Sequence, residues 1–166
     1  MPRPAPPGGL GANALKPPKT LLLAHHGTPG AARAEALAFE LAVAGTTSIV
    51  HGLVVPDFWD GMQGDDWLNN SSTRDTFARH LESQLNQENA EQIKVLQARC
   101  AERGLTYRVL VRFGDPATCI VDMAREVAAD LVLIGPPRAK GEPGYRSRMK
   151  LETLVRGLNC TLSIAR

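Results

Sequence analysis

The chain has 166 residues, of which 43% are hydrophobic and 22% charged, and its formal net charge is +2. This length suits a single domain that can be stable without disulfides or a structural metal. The near balance of 19 basic and 17 acidic residues excludes a strongly basic nucleic-acid-binding protein. Aromatic residues make up only 5%, which also disfavours a stacking surface for single-stranded nucleic acid.

The cysteine pattern and the amino-terminal composition favour a cytoplasmic protein. Three widely spaced cysteines form no Cys-x-x-Cys pair, as expected of free thiols in a reducing compartment. No apolar run reaches the roughly 18 residues of a membrane helix, and residues 1–18 lack the apolar core of a signal peptide. Because Pro and Gly are frequent in residues 1–18, we expect a flexible tail there and one ordered domain at residues 19–166.

The ordered part opens with a strand, a helix and a second strand. The continuously apolar run Thr20–His25 predicts a strand buried on both faces. Apolar residues at helical spacing over residues 34–41 predict the helix, which Gly45 is placed to end as a C-cap. The second predicted strand is Ser48–Val55, and it stops at Pro56.

Residues 57–73 contain both tryptophans and show no periodicity. They predict a long loop, and we expect Trp59 and Trp67 to lie near the ligand end of the sheet or at a dimer surface, or simply to anchor the loop against the body. A polar helix follows, with a frayed stretch at residues 86–92. That helix is predicted to end at Gly104.

The last third of the chain again alternates between predicted strands and helices. Thr106–Phe113 alternates in part and predicts a strand near an edge. Asp115 and Pro116 predict a capped helix start. The remaining predicted elements are a buried strand over 130–135, a loop over 136–147, a helix over 149–156 and a final strand over 160–165.

Five strands separated by four helical stretches predict an α/β fold: a doubly wound, five-stranded parallel sheet with helices on both faces. In such sheets, ligands bind beyond the carboxyl ends of the strands, where the strand order reverses. Residues that bind a ligand are therefore expected after the first strand, after the second strand, around Gly114 and after Gly135.

These segments contain no recognisable catalytic or metal-binding motif. His25 and His26 are adjacent on a strand, so their side chains point to opposite faces and are poorly placed to share a metal ion. No nucleophile elbow, strict phosphate-binding loop or dinucleotide fingerprint is present. We predict no catalytic residue and no metal site. Residues 26–30 can still offer backbone N–H groups to an anion. The basic loop after Gly135 either binds phosphates through its Lys and Arg side chains or is a solvated loop whose charges only aid solubility.

Three segments resemble the universal stress protein family. Residues 112–135 contain FGDPATCIVDMAREVAADLVLIG, which is similar to the family's Gly-Asp-Pro turn, amphipathic helix and buried strand. Residues 19–44 contain TLLLAHHGTPGAARAEALAFELA, which resembles its opening strand, turn and first helix. The ending LVRGLNCTLSI resembles the family's last helix and strand.

The resemblance also implies a nucleotide position, and this chain departs from its motif. The family's ATP-binding members carry Gly-x-x-Gly, about nine residues, then Gly-Ser/Thr. Gly135 matches the first glycine, whereas Arg138 replaces the second and Arg148-Met149 replaces the Gly-Ser/Thr pair. The Asp at the end of the family's first strand is replaced by His26 in this chain. The family-equivalent nucleotide positions are His26, Gly27, Thr28, Val50, Gly135, Arg138, Arg148 and Met149.

The resemblance implies a regulatory stress-response protein that forms a homodimer through the last strand, residues 160–165. Such a protein has no catalysis of its own and, with the motif altered, no strong ATP binding. The alternative is an adenine-nucleotide-binding switch or slow ATPase. It would hold ATP or AMP with Mg²⁺ through the basic side chains of residues 135–149.

Overall fold

The computed structural model describes residues 16–24, 29–55, 87, 89–136 and 149–166. The predictions made for residues 1–15, for the tryptophan loop and for the basic loop at 137–148 lie outside the described residues. In chain order, the elements are β1 (Thr20–Ala24), α1 (Pro29–Leu41), β2 (Ser48–Val55), α2 (described over residues 89–102), β3 (Thr106–Phe113), α3 (Pro116–Glu126), β4 (Leu131–Ile134), α4 (Leu151–Gly157) and β5 (Thr161–Ile164).

The five strands form one parallel sheet in the order β3-β2-β1-β4-β5. The predicted fold class is confirmed, and β3 lies at an edge as its partial alternation predicted. Strand order reverses between β1 and β4, since β2 follows β1 on one side and β4 joins it on the other. This reversal places a switch point at the carboxyl ends of β1 and β4.

Side chains of the central strands alternate between two core clusters. Leu22 and Val50 pack with α3 and α4 on one face, while Leu21 and Leu23 pack with α1 and α2 on the other. Both faces of the central strands are therefore buried, which explains why β1 is a continuous apolar run.

The predicted helix caps agree with the structure at α2 and α3 but not at α1. Gly104 has a φ of +64° just after α2, and the N–H of Leu105 donates to the carbonyl of Cys100 at 2.9 Å, as in a glycine-capped helix end. At α1 the prediction is wrong, because the helix ends at Leu41 and Gly45 lies in the following turn with a φ of +73°. The hydroxyl of Thr47 accepts from the N–H of Val43 at 2.9 Å, which turns the chain before Gly45 is reached.

One carboxylate joins the starts of β1 and β4. Oδ2 of Asp130 accepts from the backbone N–H groups of Lys19 and Thr20 at 2.8 and 2.9 Å. The N–H of Asp130 donates to the carbonyl of Thr20 at 2.9 Å. This clamp uses Asp130 just before β4, so the strand begins one residue later than the predicted 130–135.

Candidate functional site

The candidate site is the carboxyl edge of the sheet, where β1 and β4 end and α1 and α3 begin. In a parallel sheet, crossover helices start at the edge where the strands end, so their positive N-terminal ends lie together. Among the described residues, this edge includes Gly30 of α1, Asp115 before α3, Gly135-Pro136 after β4 and Met149-Lys150 before α4.

Gly135 lies directly against the first turn of α1. A Cβ added to Gly135 would be 2.4 Å from the carbonyl carbon of Gly30 and 2.8 Å from the backbone nitrogen of Ala31. A Cβ on Gly30 would in turn be 3.1 Å from Cδ of Pro136. The glycine predicted as a phosphate-binding position therefore has a packing function that sequence reasoning missed. The sequence signal for it is a glycine after β4 together with a glycine at the start of α1.

The N-terminus of α3 is capped by the protein itself. Asp115 accepts from the N–H of Thr118 at 3.0 Å and from its hydroxyl at 2.9 Å, while Pro116 occupies the first turn, as predicted. These hydrogen bonds lower the pKa of Asp115, and the positive charge of Lys150 contributes to the same shift. Because a carboxylate already occupies the positive end of α3, that helix start does not offer an open anion position.

The structure describes three of the predicted nucleotide positions. Val50 is buried in the core on the face covered by α3. Met149, at the position of the family's Ser or Thr, is partly buried and packs against the same core cluster. Val50, Met149 and Gly135 carry no polar side chain, so only backbone groups are available for polar contacts at these three positions. His26, Gly27, Thr28, Arg138 and Arg148 lie outside the described residues.

The described part of the chain contains no group of three or more His, Cys, Asp or Glu side chains that could hold a metal ion. Within those same residues, no helix is long and apolar enough to cross a membrane. Cys100 and Cys119 are buried, Cys160 is partly buried, and none of the three forms a disulfide.

The strand order and its switch point define a doubly wound α/β protein. The model of the universal stress protein family matches residues 18–164. The chain therefore belongs to the universal stress protein family. A comparison with curated proteins returned no match.

Solved structures from this family share the fold. A universal stress family protein from Burkholderia pseudomallei is 23% identical with a TM-score of 0.63, over 88% of this chain and 94% of that one. UspA from Lactobacillus plantarum is 15% identical with a TM-score of 0.67, over 89% and 97%. A family protein from Arabidopsis thaliana with AMP bound is 15% identical with a TM-score of 0.59, over 89% and 90%.

Proposed function

We propose that this chain is a cytoplasmic, homodimeric universal stress protein that acts as a regulatory module without strong ATP binding. The observation that carries the proposal is the outer edge of β5, which lies at one end of the described sheet and exposes Ile164. The proposal of weak ATP binding is supported by Met149, because its partly buried side chain packs against the core where the family motif has a small hydroxyl residue. The three cysteines, none of which forms a disulfide, support a reducing compartment.

The surface around β5 combines an edge strand with exposed apolar side chains. Ile164 of β5 is 37% exposed, and Val155 and Leu151 of α4, the helix that precedes β5 in the chain, are 68% and 36% exposed. An edge strand with apolar side chains invites pairing with another chain. A second copy related by a two-fold axis would pair its own β5 with this one and cover the same side chains on both copies.

Sedimentation equilibrium tests the dimer. The native protein is expected at twice the monomer mass of 17.9 kDa. The double substitution Val155→Asp with Ile164→Asp is expected to give the monomer, since it places carboxylates in the proposed interface. Phe113→Asp is the matched control, because Phe113 is 64% exposed on β3 at the opposite edge, and it is expected to remain dimeric. A monomeric native protein, or a dimer lost only in the control, contradicts the proposal.

The second candidate is an adenine-nucleotide-binding switch or slow ATPase. The AMP bound to the Arabidopsis family protein favours it, as do the basic residues Arg138, Lys140, Arg146 and Arg148 in the sequence after Gly135. Denaturing the freshly purified protein and chromatographing the supernatant tests this candidate. Near-stoichiometric adenine nucleotide would favour the switch. Its absence, together with no ATP turnover above that of a mock purification, would favour the regulatory dimer.

A further inference from the structure

The last strand, β5, directs the backbone groups of alternate residues to opposite sides. The N–H groups of Thr161 and Ala165 donate to carbonyls at the two ends of β4, at 3.4 and 2.9 Å. Residues two apart in a strand direct their N–H and C=O groups the same way, so Ser163 is also bonded toward β4. Leu162 and Ile164 therefore direct their backbone groups to the outer edge of the sheet.

The side chains of β5 divide between the two faces of the sheet. Leu162 packs against the core cluster under α3 and α4, and Ile164 is paired in register with Ile134 of that cluster. Ser163 is paired with Leu133, which belongs to the cluster under α1 and α2. The strand thus presents apolar side chains on the face covered by α4 and a small hydroxyl on the opposite face.

The direction of these backbone groups restricts how two copies of β5 can pair. Hydrogen-bonded strands related by a two-fold axis run antiparallel, and bonds join only residues whose backbone groups face the gap. An axis at Ser163 sets Leu162 of each copy opposite Ile164 of the other, so both outward residues are bonded and apolar side chains meet. An axis at Leu162 or Ile164 leaves the other of these two facing Cys160 or Arg166, which lie outside β5.

We propose that Ser163 lies on the two-fold axis of the dimer, so that its side chain faces Ser163 of a second copy and determines whether this chain pairs with itself. The inference rests on the proposed dimer and adds the residue at its centre. Residues that face each other in an antiparallel pair without backbone bonds have Cα atoms about 4.5 Å apart. A charge at position 163 therefore faces an identical charge, whereas a charge at Thr161 faces Ala165.

Sedimentation equilibrium of Ser163→Asp and Ser163→Lys, alone and mixed, tests this assignment. Each variant alone is expected to raise the dimer dissociation constant about a hundredfold, because like charges face each other across the axis. An equimolar mixture is expected to form a heterodimer, since opposite charges then meet. Thr161→Asp is the matched control and is expected to remain dimeric. Equal weakening by Thr161→Asp, or no heterodimer in the mixture, overturns the assignment.

Cysteine cross-linking locates the axis without introducing a charge. Ser163→Cys is expected to form a disulfide between copies on oxidation with copper phenanthroline, because the facing Cα atoms lie within the range that a disulfide spans. Ile164→Cys is the control: each Ile164 is then displaced from its own copy by two residues, about 7 Å away, so no such disulfide is expected. A cross-link at position 164 and not at 163 overturns the assignment.

The native chain separates failure of this assignment from failure of the dimer. A native chain that sediments as a monomer overturns both. A dimeric native chain whose Ser163→Cys variant is folded by circular dichroism, dimeric by sedimentation and not cross-linked overturns the position of the axis alone.

Discussion

The backbones of Gly135 and Gly30 are in direct contact where β4 ends and α1 begins. The added Cβ of Gly135 would lie 2.4 and 2.5 Å from the carbonyl carbon and oxygen of Gly30. Real Cβ atoms do not approach backbone so closely, so the first turn of α1 can sit on the end of β4 only when position 135 has no side chain. This contact fixes the switch point of the sheet whether or not a ligand binds there.

The first prediction concerns Gly135→Ala. The substitution is expected to lower the free energy of unfolding by about 3 kcal/mol, because the backbone of α1 must move away from β4. Gly45→Ala is the matched control, since Gly45 has a positive φ of +73° and nothing within 4 Å of an added Cβ. Its expected loss is about 1 kcal/mol, from backbone strain alone. Urea denaturation measures both, and equal losses would contradict the contact.

The second prediction concerns the Asp130 clamp. Asp130→Ala removes the acceptor for the N–H groups of Lys19 and Thr20, and the expected loss is about 2 kcal/mol in the free energy of unfolding. Amide exchange at Thr20 should accelerate more than exchange in α3. Asp130→Asn keeps an acceptor oxygen and is expected to lose less than Asp130→Ala. An unchanged Thr20 exchange rate in Asp130→Ala would show that the clamp does not hold β1.

The third prediction concerns the cap of α3 and its pH dependence. Asp115→Ala is expected to cost about 1 kcal/mol at pH 7, because the N–H of Thr118 loses its acceptor. The pKa of Asp115 is lowered in the folded state by its bonds to Thr118. Its carboxylate therefore adds stability above the unfolded value of about 3.9, and that stability is lost as the pH falls through the lower folded value.

Denaturation of the native protein and of Asp115→Ala at several pH values measures this effect. The difference between the two is expected to be constant from pH 7 to about pH 5 and to shrink below about pH 4. Asp115→Asn serves as the control, since it keeps an N-capping oxygen without the charge. A stability difference that grows in acid would mean that the cap does not favour the ionised carboxylate.

The fourth prediction concerns thiol reactivity. Cys100 and Cys119 are buried, whereas Cys160 is partly exposed at the start of β5. Burial raises the pKa of both Cys100 and Cys160, so reaction rates with iodoacetamide should rise with pH as the thiolate forms. In the monomeric Val155→Asp, Ile164→Asp variant, in which the proposed interface does not cover Cys160, mass spectrometry after brief alkylation at pH 8 is expected to find Cys160 modified first. Labelling of Cys100 before Cys160 in the folded protein would contradict the burial.

The fold could be predicted from the sequence where one physical effect dominated. The apolar run of β1 and the partial alternation of β3 predicted a buried strand and an edge strand because burial sets both patterns. The end of α1 could not be predicted, because the helix ends before Gly45, where the hydroxyl of Thr47 accepts a hydrogen bond from the N–H of Val43. Such side-chain bonds leave no periodic signal.

The candidate site was less predictable than the fold. The motif indicated that position 149 departs from the family pattern, but only the three-dimensional structure shows that Met149 packs against the core. The burial of His51 beside Tyr107 was also missed, because the two residues are 56 positions apart in the sequence. Only the register of β2 with β3 brings them together.

Calorimetric titration with Mg-ATP is the most direct test of the central claim, that this protein works without strong ATP binding. The native protein is compared with a variant that restores the family motif through Arg138→Gly, Arg148→Gly and Met149→Ser, with folding checked by circular dichroism. We predict no measurable binding by the native protein at millimolar ATP and a gain of binding in the restored variant. Saturable, micromolar binding by the native protein would contradict the claim.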